Sequence, residues 1–364
     1  MKITILGLSI TSSWGNGHAT TYRSLVKGLN KRGHRVTFLE RDMPWYSSNR
    51  DMPESEFCRI ILYTSVAQLK KEFINEIAQA DAVIVGSYVP DGIEAGQWVI
   101  NTAKGVKAFY DIDTPVTLTK LRNSTCSYLS SKLVAEYDLY LSFTAGKCLT
   151  IFENEFGSPA ARQFYCSVDP DLYYPSKLAK KWDLGYLGTY SDDRQPALNE
   201  LMLNAAKKYS KGRFVVAGPQ YPQIIEWPSN VERIEHMPPD LHVGFYNNQR
   251  YTLNITRQDM VKMGFSPSVR LFEAAACGVA IISDWWEGLD TIFKPGEDIF
   301  ISGSSEETLE ILTGTSDDRR IQTGENARSL VLKNHTGYQR AMELENYVKE
   351  VKSGKRKKVL NEQH

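Results

Sequence analysis

The sequence predicts an α/β protein made of two domains in tandem, each built on a parallel sheet. Short apolar segments alternate with helical periodicity over residues 2–163, and a second series of the same kind starts near residue 184. Strands that alternate with helices are typical of parallel sheets with right-handed connections. The length of 364 residues exceeds one ordinary core and suits two domains. We therefore expect domains at residues 1–165 and 166–336, a final helix at 337–352 and a basic, disordered tail at 353–364.

The composition excludes several classes of protein. A hydrophobic fraction of 42% and a charged fraction of 24% are typical of a globular chain with a sizeable core. Acidic and basic residues balance at 43 each, which argues against a nucleic-acid binder that relies on bulk charge. The five cysteines are widely spaced without a Cys-x-x-Cys pair, so we expect reduced thiols and no metal site. Because neither a secretion signal nor a membrane-length apolar run is visible, we expect a cytoplasmic protein.

The first domain opens with a strand–helix–strand unit. We predict a strand over Lys2–Leu8, a helix over His18–Lys31 with one apolar face, and a strand over Arg35–Leu39. The loop before the helix contains Asn16 and Gly17, which are candidate substrate-binding residues. This loop lacks the Gly-x-Gly-x-x-Gly spacing of a dinucleotide site, which disfavours a nicotinamide-dependent enzyme.

Polar groups follow a later strand of the same domain. Strands are predicted at residues 82–86, 106–110 and 137–143, with helices at 66–78, 92–103 and 147–156. Asp111 and Asp113 come directly after the strand at 106–110. Ligands bind at the carboxyl edge of parallel sheets, so the two aspartates and His18 are candidate acid–base groups. Two alternatives stay open: the aspartates only cap the turn before Pro115, or they match a metal-binding Asp-x-Asp pair by chance.

The second domain contains the most informative stretch, residues 252–290. A β-favouring run at 252–256 precedes a polar loop and a predicted helix with Ser266 as N-cap and Pro267 at its first position. A helix N-terminus at the carboxyl edge of a parallel sheet is an anion site. Arg257 and Arg270 flank it, and Glu273, one turn further on, is placed to accept hydrogen bonds from a ligand. Further strands are predicted at 184–187, 214–217, 231–235, 279–282 and 298–301, and helices at 195–209, 239–247, 306–312 and 317–333.

The C-terminal end carries two different patterns. The helix at 337–352 is amphipathic, with Leu344, Tyr347 and Val348 on its apolar face. The basic run Lys355–Lys358 that follows has no apolar periodicity, which indicates a solvated tail. The alternative interpretation of the run is an attraction to anionic lipid, and hence weak peripheral membrane contact, or to nucleic acid.

Three segments together carry a family resemblance. Ser-Val-Asp-Pro-Asp-Leu-Tyr-Tyr-Pro (167–175), Leu-Gly-Thr-Tyr (187–190) and Arg-Leu-Phe-Glu-Ala-Ala-Ala-Cys-Gly-Val-Ala-Ile-Ile-Ser-Asp (270–284) resemble GT-B glycosyltransferases of group 1 type. The likeness is strongest to the bacterial transferases similar to the spore-maturation protein CgeB. It implies two Rossmann-like domains facing a cleft, a nucleotide-diphosphate sugar as co-substrate bound mainly by the second, no other cofactor and no metal. It also implies that the final helix crosses back onto the first domain.

The resemblance assigns roles to residues of the second domain. It places Glu273 on the ribose hydroxyls, and the loop with Gly188, Tyr190 and Arg194 beside the diphosphate. The remaining candidates for substrate binding are the residues that the resemblance places near the base and those of the anion turn: His236, Met237, Arg257, Ser266, Ser268 and Arg270.

The catalytic group is a separate question. Many retaining members of this family carry a second glutamate eight residues before the ribose-binding one, and Phe265 stands there. The segment around His18 also resembles inverting GT-B transferases similar to the glycosyltransferases of small lipophilic acceptors. In those a histidine that opens the first helix deprotonates the acceptor and an aspartate orients it, which suits His18 with Asp111 or Asp113. A neutral imidazole at a helix N-terminus is a plausible base. Retaining and inverting outcomes stay open.

The leading hypothesis is a metal-independent glycosyltransferase, of the hexosyl- or pentosyltransferase class. It would move a sugar from a nucleotide-diphosphate donor to a hydroxyl-bearing acceptor such as a glycan, lipid or protein. The alternatives are a nucleotide-sugar epimerase on the same fold and a catalytically silent sugar-nucleotide-binding protein. Trp285 and Trp286 are interpreted as packing residues, with sugar stacking as the alternative.

Overall fold

A computed structural model describes residues 1–14 and 17–361, and side chains up to residue 354. The chain forms two compact units. One contains Met1–Ser167 and the segment from Thr336 onwards, and the other contains Val168–His335. The second unit is thus inserted between two segments of the first.

The first unit is built on a parallel sheet. In the described residues it has seven strands in the order β3-β2-β1-β4-β5-β6-β7. The chain order here is β1 Lys2–Gly7, α1 His18–Lys31, β2 Arg35–Arg41, α2 Pro44–Ser47, β3 Arg59–Tyr63, α3 Val66–Glu72, α4 Ile74–Ala78, β4 Ala82–Gly86, α5 Gly92–Thr102, β5 Val106–Asp111, α6 Thr114–Arg122, α7 Ser131–Glu136, β6 Leu139–Ser142, α8 Lys147–Asn154 and β7 Ala161–Gln163.

Several predictions for this unit need correction. The single helix predicted over 66–78 is two helices that meet at Phe73. β3 was not predicted because it is an edge strand, begins with the exposed Arg59 and buries only its last residue. α6 was not predicted either, although Pro115 lies in its first turn, where proline needs no N–H partner.

The C-terminal helix α16, Gly337–Asn361, packs on α1. A Cβ on Gly28 would lie 2.0 Å from the carbonyl oxygen of Gly337, so the two backbones meet without side chains between them. Arg32 donates to Glu345 through Nε at 2.9 Å. The helix was predicted to end at residue 352 and to give way to a disordered tail, but its backbone stays helical to residue 361. Lysine and arginine are good helix formers, and a helix that is already nucleated extends at low cost.

The second unit is built on another parallel sheet. Its order is β10-β9-β8-β11-β12-β13. The chain order is β8 Trp182–Leu187, α9 Gln195–Leu198, a π-helical turn Asn199–Asn204, α10 Ala205–Lys208, β9 Phe214–Ala217, β10 Val231–Ile234, a 3₁₀ turn Pro239–Leu241, α11 His242–Asn247, β11 Gln249–Asn254, α12 Gln258–Met263, α13 Val269–Ala276, β12 Ala280–Ser283, a 3₁₀ turn Leu289–Thr291, β13 Phe300–Ile301, α14 Ser305–Gly314 and α15 Asp317–Asn334.

The start of α13 differs from the prediction. The N-cap is Ser268 rather than Ser266, so Pro267 precedes the helix instead of opening it. Ser266 is fully buried and donates to the carbonyl of Gly264 at 3.1 Å. The Ser-Pro-Ser sequence fits either register locally. In the structure, the hydroxyl of Ser268 donates to Asn254 Oδ1 at 2.7 Å and ties the later serine to the end of β11.

Within the described part of the chain, no helix combines the length and the apolar character needed to cross a bilayer.

Candidate functional site

Polar loops gather at the carboxyl edge of the second sheet. β11 pairs with β8 on one side and β12 on the other, so the segments that follow these three strands are neighbours. The helix α13, which begins at Val269, follows β11 at this edge. Free N–H groups of a helix start attract anions, and this is the position in parallel sheets at which ligands bind.

Gly188 lies where the chain leaves β8, and it has no room for a side chain. A Cβ at this position would stand 2.7 Å from Tyr186 Oη and 3.1 Å from Arg270 Nη2. Its N–H donates to the carbonyl of Ala217 at 2.8 Å, which fixes the loop to the neighbouring strand. A glycine here therefore lets the backbone of the loop lie close to the Arg270 guanidinium.

Arg270 is the best-positioned cation of the site. Its Nε donates to the carbonyl of Leu187, and Nη1 donates to Asn254 Oδ1 at 3.1 Å. Its guanidinium carbon also lies 5.0 Å from the ring centre of Tyr186. These contacts on three sides hold the guanidinium in one orientation at the sheet edge.

Arg194 brings a second guanidinium to the same place. Its Nη2 donates to the carbonyl of Thr189 at 2.7 Å, whereas its Nε is buried and has no hydrogen-bond partner in the described structure. Burial lowers the pKa of Arg194, and the positive charge of Arg270 lowers it further. Two cations that repel each other, one of them with an unsatisfied buried N–H, favour a negatively charged ligand.

Two other residues predicted to bind the diphosphate, Tyr190 and Arg257, contact aspartate side chains. Tyr190 is half-buried, and its hydroxyl donates to Asp192 at 2.5 Å. Arg257 is the N-cap of α12, and its Nε lies 4.0 Å from Asp193 Oδ2.

Glu273 lies one turn into α13 and is buried, with 5% of its surface exposed. Tyr246 donates its hydroxyl to Glu273 Oε2 at 3.1 Å. Burial and the negative charge of Glu273 raise the pKa of Tyr246 and of Tyr173 well above the ordinary value. The buried carboxylate is therefore held by the neutral hydroxyl of Tyr246, and it is not an exposed surface acid.

His242 joins this carboxylate to the loop predicted to lie near the base. Its Nδ1 lies 4.0 Å from Glu273 Oε2 and 3.3 Å from the hydroxyl of Tyr173. Its Nε2 lies 3.2 Å from the carbonyl oxygen of Met237. The predicted His236 is exposed at the surface of the same loop. His242 was missed because the sequence shows only a histidine in a short helix, and its link to Glu273 depends on tertiary contacts.

Trp285 and Trp286 behave differently, although they are neighbours in the loop after β12. Trp286 is 1% exposed and packs inside, whereas Trp285 is 49% exposed. The interpretation as packing residues therefore holds for Trp286 alone.

In the first unit, His18 opens α1 at the carboxyl edge of the sheet. It is partly exposed, its Nδ1 has no partner in the described structure, and its ring packs edge-on against Tyr88 at 5.5 Å. Burial lowers the pKa of the imidazole to about 4, so it is neutral at pH 7. Tyr88 has a backbone φ of +62°, which is unusual for a bulky residue.

The two predicted aspartates occupy different environments. Asp113 accepts a hydrogen bond from Tyr88 Oη at 2.9 Å, which links it to the surroundings of His18. Asp111 is fully buried and accepts hydrogen bonds from Tyr140 at 2.6 Å and Thr117 at 2.8 Å. Burial raises the pKa of Asp111 to about 6. Asp111 therefore joins β5 to its neighbours inside the fold, whereas Asp113 is the aspartate connected to the histidine.

The loop that leads to His18 is fixed by a buried acid that the sequence analysis did not single out. Glu40 is fully buried and accepts hydrogen bonds from the backbone N–H groups of Ile10 at 2.6 Å and Thr11 at 2.9 Å. Gly17 is exposed, and its carbonyl accepts from the hydroxyl of Thr20 at 3.0 Å. Asn16 lies outside the described residues.

Part of the chain is similar to a known protein family. Residues 194–346 match the model of a family described as glycosyl transferase-like. No curated protein matches the sequence significantly.

Solved structures are similar to this chain over 96–97% of its length. An α-glucosyltransferase in complex with UDP and a 13-mer DNA has a TM-score of 0.74 at 14% identity, covering 96% of this chain and 99% of its own. HepE from Anabaena, in complex with UDP and glucose, has a TM-score of 0.69 at 13% identity, and the match covers 96% of this chain and 100% of HepE. Sucrose-phosphate synthase from Thermosynechococcus elongatus has a TM-score of 0.67 at 13% identity, and the match covers 97% of this chain and 100% of the synthase. The chain has the α/β fold of GT-B glycosyltransferases, as the sequence predicted.

Proposed function

We propose that the protein is a glycosyltransferase that takes a sugar from a nucleotide-diphosphate donor and transfers it to a hydroxyl group. The observation that carries this proposal is the Arg194–Arg270 pair beside Gly188, one turn away from the buried Glu273. Two constrained cations suit a diphosphate, and a carboxylate next to them suits the vicinal hydroxyls of a ribose. The glycosyl transferase-like segment and the fold support the same class.

The donor is held and activated by the second unit. The diphosphate is the leaving group, and its negative charge increases as the bond to the anomeric carbon breaks. Guanidinium groups fixed in place before the reaction stabilise that charge without reorganisation. The two arginines supply this charge themselves, so we propose a transfer that requires no metal.

The acceptor is activated by the first unit. His18 is neutral at pH 7 and is able to take the proton from the acceptor hydroxyl. The oxygen attacks the anomeric carbon, the C–O bond to the diphosphate breaks, and the nucleoside diphosphate leaves with the bonding electron pair. Direct attack of this kind inverts the anomeric configuration. Tyr88 packs against His18 and donates to Asp113, so this pair positions the base.

The neighbours suggest which donor to test first. HepE has been captured with UDP-glucose, and the α-glucosyltransferase with UDP. We propose a UDP-sugar as the first candidate donor, an acceptor of still undefined class, and membership of the group similar to CgeB as the finer assignment. The protein would act in the cytoplasm of a bacterium.

The proposal is tested by binding and turnover together. The protein is screened by calorimetry against UDP-, GDP-, ADP- and dTDP-sugars, and the bound donor is then incubated with panels of glycan, lipid and peptide acceptors. Micromolar binding followed by release of nucleoside diphosphate only when an acceptor is present supports a transferase. A new sugar epimer without acceptor indicates an epimerase. Donor binding without turnover across all acceptor panels indicates a silent binder, and binding of none of the donors overturns the proposal.

A further inference from the structure

The loop that follows β12, residues 284–288, lies at the carboxyl edge of the second sheet and is anchored at its start. Asp284 accepts hydrogen bonds from the backbone N–H and the hydroxyl of Thr256, both at 2.9 Å. Thr256 follows β11 by two residues, so this loop is joined to the segment that leads to Arg270. We call residues 284–288 the Trp285 loop.

The far end of the Trp285 loop interlocks with the segment before α13. The N–H of Phe265 donates to the carbonyl of Glu287 at 2.6 Å. A Cβ on Gly288 would lie 2.3 Å from the Phe265 ring, so the ring fills the space that a side chain at 288 would need. Phe265 has a φ of +49°. A bulky residue in this conformation is strained, and such strain persists where surrounding contacts impose it, often at ligand sites.

Two side chains of this loop are presented at the surface. Trp285 is 49% exposed, and Glu287 is exposed as well. The Glu287 carboxylate is directed towards the segment before α13, because Oε2 lies 3.3 Å from the position a Cβ would take on Gly264. Gly264 precedes the N-cap Ser268 by four residues. An indole face and a carboxylate are thus held in one anchored loop at the same edge of the sheet as the proposed diphosphate site.

This pairing of groups matches the chemistry of a monosaccharide. One face of a pyranose ring presents C–H groups that pack on an aromatic ring, while its hydroxyls donate to a carboxylate. We infer that the Trp285 loop binds the transferred sugar of the donor, with Glu287 accepting hydrogen bonds from its hydroxyls and Trp285 covering an apolar face. This inference rests on the proposed function, because it requires a nucleotide-diphosphate sugar in the second unit.

The experiment separates the sugar from the nucleotide. Dissociation constants for UDP and for UDP-glucose are measured by calorimetry on the full chain, as wild type and as the variants Glu287→Gln and Trp285→Ala. If the donor screen selects another nucleotide, that sugar nucleotide and its diphosphate replace this pair. Glu310→Gln, another exposed acid of the second unit, on α14, is the matched control. Both test side chains are exposed, and the Phe265–Glu287 hydrogen bond uses the backbone, so the variants keep the fold.

We expect Glu287→Gln to weaken binding of the sugar nucleotide roughly 10-fold, as when a hydrogen bond to a charged group is lost. Trp285→Ala should weaken it about 3- to 10-fold, as when an aromatic contact is lost. The affinity for the nucleoside diphosphate should be unchanged in both variants, and Glu310→Gln should resemble wild type in every measurement.

Equal losses for the diphosphate and the sugar nucleotide would overturn the inference, because the loop would then act on the nucleotide site. Unchanged sugar-nucleotide affinity in both variants would also overturn it while leaving the proposed function intact. If the wild type binds no sugar nucleotide, both proposals fail together.

Discussion

The carboxyl edges of the two sheets are built by the same topology, but the key groups at one edge are cationic and the key group at the other is neutral. In the first unit the key group is neutral: burial lowers the pKa of His18 to about 4, and no charge is left on the imidazole at pH 7. In the second unit two guanidiniums stand close enough for the charge of Arg270 to lower the pKa of Arg194. A neutral base is needed to take a proton, and fixed cations are needed to bind a diphosphate. The contrast therefore suits a proposed division of roles, in which the first unit takes the proton and the second unit binds the donor.

The largest expected effect concerns the first edge alone. His18→Ala should lower kcat roughly 10²- to 10⁴-fold, which is the usual contribution of a general base. The affinity for the donor should not change, because the proposed donor groups lie in the other unit. Steady-state kinetics and donor calorimetry on the same preparation check both statements. Near-normal turnover would remove His18 as the base and end the proposed division.

The neutrality of His18 also predicts a pH dependence of stability. In the folded chain the pKa of about 4 lies below the ordinary value of 6.5, so between these pH values the unfolded chain binds the extra proton. Stability from this group is therefore lost as pH falls from 6.5 towards 4. Asp111 acts in the opposite direction, because its raised pKa of about 6 makes stability fall as pH rises through that value.

The contribution of His18 to stability is isolated by comparing wild type with His18→Gln. The unfolding free energy of wild type minus that of His18→Gln should rise by up to roughly 3 kcal/mol between pH 4 and pH 6.5, while the Asp111 contribution cancels. Urea unfolding of both proteins across this range provides the numbers. A difference independent of pH would mean that the imidazole is not held neutral by burial.

The next largest effect is expected in donor binding by the second unit. Glu273→Gln should weaken donor binding by about 1.5–3 kcal/mol, since a charge-assisted hydrogen bond to the ribose is lost. Turnover at saturating donor should fall much less than in His18→Ala. Calorimetry with the donor, together with circular dichroism to verify the fold, checks this. Unchanged affinity would contradict the ribose assignment.

The smallest effects come from one glycine on each edge. Gly188→Ala places a Cβ 2.7 Å from Tyr186 Oη and should lower the free energy of unfolding by about 1–3 kcal/mol, as other overpacking changes do. Among the described residues, nothing lies within 4 Å of a Cβ on Gly17, so Gly17→Ala should change the free energy of unfolding by less than about 0.5 kcal/mol. Thermal unfolding of the two variants measures both changes. Equal losses of stability in Gly188→Ala and Gly17→Ala would show that the two loops are equally crowded.

Sequence reasoning was reliable where burial and periodicity agree. The predicted bounds of β4, α1 and β9 are confirmed to the residue, because each is an apolar run or an amphipathic repeat with clear ends. The edge strand β3 was missed because pairing to β2 forms it despite its charged start. The N-cap of α13 was placed two residues early, since the contact of Ser268 with Asn254 is tertiary.

The candidate site shows the same limit. Glu273 stands between apolar residues in the sequence, Phe272 and Ala274, and its burial agrees with that pattern. The participation of His242, the separate environments of Asp111 and Asp113, and the exposure of Trp285 beside the buried Trp286 all depend on which strands become neighbours. Local sequence does not contain that information.

The insertion of the second unit has a practical consequence. Its first and last residues are bonded to each other, since the N–H of Val168 donates to the carbonyl of His335 at 3.0 Å. When the two ends of an inserted unit meet at one point, a short connection is enough to join them, and such units commonly tolerate insertion and permutation. Residues 168–335 are therefore a suitable segment for transplantation into a related scaffold, or for circular permutation through a short linker between its ends.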